Sequence, residues 1–335
     1  MRFFRQRASP LLGVDISASA IRIIELARSA NGWHVAHFAI HDLPRNTIRE
    51  GAIVQADLVI EGLRDALQKS GTKLREAAMA LPSSLVIRKI ISLPSDLSED
   101  ELELQIEVEA EQTLPFPTHE LNLDFGITGI STASPSHVDV MLVATKKETI
   151  AERQAIAEAA GIRPLIIDIE SQALITTLIS SDSANESTAS HARAILQIGR
   201  DSSYFFIANH QTTIFEHELD ISYQRLNKEI ERNPEQSLAV AEVFCAAVCQ
   251  EFKRALQLYS TNSQYVPIDK FFLSGPEKSL YRLPSMMKEQ LSITAVFANP
   301  FAIMKFTSDM DKSILQKEAS AWLVACGLAM RDRVL

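Results

Sequence analysis

The sequence predicts an α/β fold built from two similar lobes with a cleft between them, plus a compact third segment. Three observations predict it. Short apolar strands alternate with amphipathic helices along the whole chain. A strand–turn–strand pattern that starts at Gly13 recurs at Ile195, 182 positions later and about half the chain on. Residues 83–162 read as a unit of their own, in the order strand, helix, strand, strand, helix.

The first element is a short buried strand, Leu11–Ile16, followed by a tight turn, Ser17-Ala18-Ser19. Ile21 and Ile23, then Leu26 after a shift of phase, form a second strand. Asn31-Gly32 is a hairpin signal leading to a third strand at Trp33, Val35 and Phe38. Asp57–Lys69 is expected to be a helix. Leu58, Gly62 or Leu63, and Leu67 fall on one face, and Gly71 follows as a C-cap. Ala77–Leu81 is a further strand.

Pro82 and Pro94 bracket a strand, Leu85–Leu93, and Ser98 with Glu101 matches a capping box. The stretch after it carries two patterns at once. Leu102, Leu104, Ile106 and Val108 alternate as in a strand, whereas Leu102, Ile106, Ala110 and Leu114 repeat every four as in a helix. The cap and the Glu-rich composition decide for a helix, ended by Pro115 and Pro117. Strands at Leu121–Ile130 and Val138–Thr145 and a helix at Lys146–Ala160, stopped by Gly161, complete the unit.

Arg163–Asp168 is a strand, Ser171–Ile179 a helix and Ser180–Ser190 a linker. Ala194–Ile198 is a strand, Gly199-Arg200-Asp201-Ser202 a turn. Tyr204–Ala208 and Thr212–Glu218 form a hairpin around Asn209-His210-Gln211. Helices fill 222–232 and 236–260, and the strand Lys270–Leu273 runs into a turn, Ser274-Gly275-Pro276. Pro284–Gln290 is a short helix with Pro in its first turn, and Ala319–Met330 an apolar terminal helix.

Composition narrows the function. The chain has 335 residues, 46% hydrophobic and 22% charged, enough for two globular cores of ~150 residues each. A net charge of −9 counts against a nucleic-acid partner, because phosphate binding needs a basic footprint. Cys245 and Cys249 lie four apart in a helical stretch with no third ligand nearby, and Cys326 stands alone. All three are expected to be small buried apolar residues in a reducing cytosol rather than a zinc site. No apolar run reaches the ~18–20 residues of a membrane span. The basic start, Met1–Arg7, precedes only the short Leu11–Val14, too little for a signal peptide, so a cytoplasmic protein is expected. The basic tip would either touch anionic lipid or fray. The eight His residues form no zinc pattern, and neither a nucleophile elbow nor a Walker loop is present. The acidic run Glu99–Glu111 reads as a solvated helix face or as a docking surface for a basic partner.

In the repeat, each copy places one polar residue, Asp15 or Gln197, on an apolar strand ahead of a small residue, Ser17 or Gly199. Two such turns facing each other would offer backbone N–H groups to a phosphate from both sides.

The segment Leu12-Gly13-Val14-Asp15-Ile16-Ser17-Ala18-Ser19-Ala20-Ile21-Arg22-Ile23-Ile24-Glu25-Leu26 resembles the first phosphate motif of the type IV pilus assembly protein PilM family, which is related to FtsA and to actin. Glu109–Pro117, Val143–Lys146, Ile167–Glu170, Asn299–Phe301 and Ala325–Ala329 resemble further family segments, in family order. The resemblance implies an actin-like α/β fold of duplicated ribonuclease H-like lobes. Residues 1–82 and 163–190 would form the first lobe, with 83–162 inserted as a small subdomain. Residues 191–335 would form the second, with a short helical insertion near 222–265. The implied role is a cytoplasmic scaffold at the inner face of the inner membrane, which it reaches only through a partner. It would recruit the cytoplasmic N-terminal peptide of PilN and couple the alignment complex to other inner-membrane and motor components. ATP or ADP with Mg is the implied cofactor.

The resemblance assigns Asp15, Ser17, Ala18, Ser19 and Arg22 to the first phosphate turn, and Asp168 and Glu170 to the cleft. Gln197 and Gly199 fall in the second turn, Ser274 and Gly275 in the adenosine loop. A carboxylate such as Asp15, at a strand end beside a small-residue turn, can hold a Mg²⁺ water; the alternative is a turn Asp that bonds nearby amides. For Asp168 and Glu170 the alternative is acidic enrichment at a helix start. Several positions depart from the family. Ser17 replaces a Gly, and Arg22 a Lys, with a forked head in place of a point charge. Gln197 replaces an acid, and Pro276 and Glu277 bring a lost donor and a negative charge to the adenosine loop. Weak nucleotide binding with little turnover is therefore expected. An active ATPase or phosphotransferase is the alternative, and a scaffold without nucleotide the third reading. Arg88, with Lys89, interrupts the apolar strand Leu85–Leu93 where 83–162 meets the first lobe, and a groove there is expected to take the PilN peptide in extended form.

Overall fold

Two sheets of the same topology organise the chain. The computed structural model describes residues 10–29, 32–131, 134–182, 192–209, 212–261, 265–307 and 310–331. Half of the Asn31-Gly32 signal, His210-Gln211, most of the 180–190 linker and the basic tip Met1–Arg7 lie outside these residues.

The first sheet begins with β1 (Leu12–Ile16), β2 (Ala20–Ser29) and β3 (Gly32–Asp42). A two-strand ribbon, β4 (Ile48–Arg49) and β5 (Ala52–Ile53), leads to helix α1 (Ala56–Ser70) and to β6 (Glu76–Leu81). A small subdomain follows, with β7 (Ile87–Pro94), α2 (Glu99–Thr113), β8 (Leu121–Ile130) and β9 (His137–Lys146), and then α3 (Lys147–Ala159), whose buried apolar residues join the core of the first sheet. The chain then returns to the first sheet with β10 (Arg163–Ile169) and runs into α4 (Glu170–Asp182). The second sheet opens with β11 (Ala192–Ile198), β12 (Ser203–Asn209) and β13 (Thr212–Leu219). Helices α5 (Tyr223–Arg232) and α6 (Ser237–Ser260), β14 (Ile268–Ser274), α7 (Leu283–Leu291) and β15 (Ala295–Phe297) complete it. The last elements are β16 (Lys305–Phe306), α8 (Ser313–Lys317) and α9 (Leu323–Ala329).

The strand orders are β10-β6-β1-β2-β3-β16 and β13-β12-β11-β14-β15. With β16 set aside, both have two antiparallel hairpin partners on one side of a central strand and two parallel strands on the other. The repeat extends to the register. Asp15 pairs with Arg22 and Ile16 with Ile21; Gln197 pairs with Tyr204 and Ile198 with Ser203, every position 182 residues on.

Packing follows from where apolar side chains fall. One face of the first sheet is covered by α1 and α3, around Ile21, Ile23, Leu63, Met79 and Ile156. The outer face of the second sheet is covered by α5, α6 and α7, around Phe205, Phe252 and Leu273. Helices α4 and α9 fill the space between the sheets, with Ala78, Ala80, Leu174, Ile195 and Leu328. Two glycines let α9 lie this close. A Cβ on Gly327 would stand 1.8 Å from Ala173 O, and one on Gly13 would stand 2.1 Å from Ala325 O. Backbone therefore meets backbone at both crossings, as close approach of glycine permits. Thr177 Oγ1 donates to Leu323 O at 2.6 Å and fastens the helix pair.

The elements depart from the sequence reading where local signals are weakest. The shift of phase in the second strand is a bulge between Glu25 and Leu26. The double-patterned segment is a helix, and both halves of its capping box are formed. Strand β7 starts at Ile87 because Ser83–Leu85 make a 3-10 turn after Pro82. The terminal helix is divided into a 3-10 turn, Ala319–Trp322, and α9. The two- and three-residue strands β4, β5, β15 and β16 and the five-residue α8 are too short to show a period. β16 also pairs in parallel with β3, and Phe301, Met304, Leu315 and Trp322 pack on Ile24, Leu26 and Val35. The stretch from 300 to 330 thus covers the second face of the first sheet, although the sequence partition groups it with the second lobe. Nothing in a local sequence pattern marks a strand for a partner some 270 residues away.

Candidate functional site

A cleft of about 550 Å³ lies between the lobes, bounded by the first turn, the second turn and the loop after β14. The size suits a nucleotide-sized ligand. Asp15, Ser17, Ala18, Ser19, Arg22, Glu170, Gln197, Gly199, Ser274 and Gly275 all line it.

The first turn is built by its own side chains. Ser17 N and Ser17 Oγ both donate to Ala20 O, at 3.0 and 2.8 Å. Arg22 Nη1 donates to Ser17 Oγ at 3.4 Å and lies 3.9 Å from Asp15 Oδ2. This contact follows from register, since Asp15 and Arg22 are cross-strand partners on β1 and β2. Asp15 is 5% exposed. Burial pushes its carboxyl up to about 6, against the pull of Arg22 and Arg153. Glu170, at the start of α4, is raised to about 8, first by burial and then by Asp15, with Arg153 opposing. Arg153 reaches this floor from α3. It is 1% exposed, and its Nη2 donates to Gly51 O at 2.8 Å.

The second turn closes on itself. Its carbonyls anchor the start of α5: Tyr223 N donates to Gly199 O and Gln224 N to Arg200 O, each at 2.9 Å. The adenosine-type loop is fastened to the 3-10 turn before α9. Ser274 Oγ donates to Ser320 O at 3.0 Å, and Gly275 N to Ser320 Oγ at 3.4 Å. Gly275 has φ +150, where a Cβ would stand 2.9 Å from Ile198 O. Glu277 is bound to the same 3-10 turn: its Oε1 accepts from Ser320 N at 3.2 Å.

Two assigned residues sit elsewhere. Asp168 does not line the cleft. Its Oδ2 accepts from Arg331 Nε at 2.6 Å, just past α9. Arg88 is ion-paired with Glu216 on β13, and its Nη2 donates to Ser171 Oγ on α4 at 2.5 Å, so it ties β7 to both lobes.

Several cleft residues escaped the sequence reading. Arg45 lies in the loop after β3 and pairs with Glu231 on α5. Tyr223 and Asn227 come from α5, and Glu318 and Ser320 precede α9; only long-range packing brings them in. Arg200 and Tyr204 were within reach, since they stand 182 residues after Ala18 and Arg22 in the same repeat.

The donor set suits a cation held mainly through water. Asp15 and Glu170 are carboxyls raised chiefly by burial, and a cation beside them would favour their charged forms. Among the described residues no three His, Cys, Asp or Glu side chains converge closely enough to cage a metal directly. Mg²⁺ keeps several of its waters and is held by one or two carboxylates together with substrate phosphates. The cysteines take no part. All three are buried, and burial raises Cys245 and Cys249 to about 11 and Cys326 further. Among the described residues no helix is long and apolar enough to cross a membrane.

A family model described as type IV pilus assembly protein PilM matches residues 13–243 and 234–333. A solved PilM-PilN type IV pilus biogenesis complex contains a chain 22% identical to this one, with a TM-score of 0.83 over 97% of this chain and 99% of that one. The ethanolamine utilization protein EutJ from Carboxydothermus hydrogenoformans is 11% identical, with a TM-score of 0.53 over 97% and 91% of the two chains. A diol dehydratase-reactivating factor, solved in nucleotide-free form, is 10% identical, with a TM-score of 0.51 over 95% and 98%. The duplicated sheets and these likenesses identify the fold as actin-like.

Proposed function

The chain belongs to the type IV pilus assembly protein PilM family, and from that membership we propose that it is a nucleotide-binding scaffold of pilus assembly whose partner is PilN. The family match across residues 13–333 carries the reading. PilN is the partner in the similar PilM-PilN complex, and we bring it to this chain as its expected partner. In this reading the chain sits at the inner face of the inner membrane, held there by the N-terminal cytoplasmic peptide of PilN, and couples the alignment complex to the motor.

The cleft takes ATP or ADP. Ala18 and Ser19 offer amides from the first turn, Arg22 offers charge, and Ser274 and Gly275 shape the adenosine side. Asp15 and Gln197 are the residues that would hold a Mg²⁺ through water, and the ion would supply charge neutralisation to the phosphates. Hydrolysis is slow. Gln197 brings no charge to the second turn, and Glu170, raised to about 8, keeps its proton at neutral pH and so is a poor base for an attacking water.

Arg88 and Glu216 suggest how a peptide would act. The junction that Arg88 closes lies between the small subdomain and the second lobe. A peptide bound beside β7 competes with that closure or reinforces it. A synthetic PilN N-terminal peptide is expected to raise the melting temperature of the protein, with a shift that grows with concentration. No shift at concentrations well above a micromolar Kd would remove PilN from the reading. Phosphate release from ATP is expected far below the ~1–100 s⁻¹ of kinases, and turnover in that range would favour an enzyme instead. Mass spectrometry of nucleotide carried through purification tests the cleft itself.

A further inference from the structure

Three arginines line the cleft: Arg22, Arg45 and Arg200. Arg22 lies 3.9 Å from Asp15, and Arg45 is paired with Glu231. Arg200 has no carboxylate partner among the described residues. Its Nη1 donates instead to the neutral carbonyl of Ala18, at 2.7 Å, across the gap between the lobes. Ala18 and Arg200 are equivalent positions of the two turns, 182 residues apart. A guanidinium has five donors in a planar fork. One carbonyl uses one of them and leaves the charge unbalanced. In a cleft with buried carboxyls at its floor, such a charge marks where an anion belongs.

We infer that Arg200 is the phosphate anchor contributed by the second turn, gripping the terminal phosphate of a nucleoside di- or triphosphate from the side opposite Ala18 and Ser19. The inference rests on the reading of the cleft as a nucleotide site and adds a residue to it. The second turn is held in place by its carbonyls, since Gly199 O and Arg200 O accept from the first residues of α5, which leaves the Arg200 side chain free to extend toward the first turn. Among the described residues that line the cleft, Arg200 is the cation that comes from this lobe. The Arg200–Ala18 contact also fixes the geometry. It holds the guanidinium next to the first turn, so that one phosphate meets amides from one lobe and a forked cation from the other. An anion bound there joins the lobes through charge-assisted bonds and adds to the Arg45–Glu231 pair at the cleft mouth.

The test is titration calorimetry of the full chain with ATP, ADP and adenosine in magnesium buffer, for the natural protein, Arg200→Ala and Arg200→Lys. Arg200→Ala is expected to lose roughly tenfold or more in affinity for ATP and ADP, the size of a charge-assisted phosphate contact, with adenosine unchanged. Arg200→Lys is expected to recover part of the loss, and it decides the matter if the alanine variant does not fold. Unchanged ATP and ADP affinity in Arg200→Ala overturns the inference and leaves the nucleotide reading standing. An equal loss for adenosine also overturns it, because Arg200 then acts through the shape of the cleft. If the natural protein binds none of the three, the nucleotide reading falls and this inference with it.

Discussion

Glu170 and Asp15 share the floor of the cleft, and the environment of each holds its proton. Glu170 rises to about 8 and Asp15 to about 6, chiefly through burial. The unfolded chain gives up these protons near the ordinary carboxyl values. The folded protein therefore binds more protons than the unfolded one between those values and the raised ones. The stability this contributes is complete below about pH 4 and is lost as pH rises through 6 and then 8. In chelator-treated protein the urea midpoint should fall between pH 5 and pH 8.5. Glu170→Gln should flatten that slope between pH 6 and 8 and raise the midpoint at pH 8.5. A variant with the natural slope would show that Glu170 titrates normally. Asp15→Ala is expected to weaken Mg²⁺-dependent ADP binding without unfolding the protein, since a polar residue at a strand end adds little to the core. Unchanged affinity by calorimetry would take Asp15 out of the site. Asp15 was legible as a lone acid ahead of a small-residue turn. Asp168 was assigned by resemblance, and it is held instead by Arg331 from 163 residues further along, a contact no local motif records.

Among the elements, α2 and α9 show two kinds of stability. α2 carried helix and strand patterns together, and Ser98 with Glu101 settled it locally: Glu101 N donates to Ser98 Oγ at 3.4 Å, and Ser98 N to Glu101 Oε2 at 2.9 Å. Ser98→Ala should cost about 1 kcal/mol, visible as faster hydrogen exchange in the first turn of α2. Exchange at the natural rate would mean that the cap is not needed. α9 is different, because its place depends on what is missing from its surface. Gly327 lets it touch α4, and a Cβ there would stand 1.8 Å from Ala173 O. Gly327→Ala should lower stability by about 3 kcal/mol or more, the upper range of overpacking, since a helix must move. An unchanged urea midpoint would show that α4 and α9 are not in backbone contact. The sequence reading found an apolar helix at 319–330 but had no means to say that its glycine faces α4.

Across the whole molecule, arginines join the parts. Arg88 ties the small subdomain to the second lobe through Glu216, and Arg45 meets Glu231 at the cleft mouth. Both partners of the first pair are mostly buried, at 17% and 20% side-chain exposure, whereas the second pair lies in solvent, where screening leaves it weak. A double-mutant cycle of Arg88→Met and Glu216→Gln should give a coupling of about 1–3 kcal/mol. A coupling near zero would show that the two parts are not held together there. The sequence by itself determined the alternating strands and helices, the order of elements across 83–162, the capped α2, and a repeat whose 182-residue spacing holds even in the strand register. These are local or periodic properties, set by propensity, capping and side-chain phase, which neighbouring residues dictate. Only the tertiary structure decided that 300–330 covers the first sheet, that Arg88 spans to Glu216, that Asp168 leaves the cleft, and that Arg200 stands opposite Ala18 without a carboxylate. Each of these depends on a contact between distant segments, fixed by which faces remain to be buried once the local elements exist, and no short stretch of sequence carries that information.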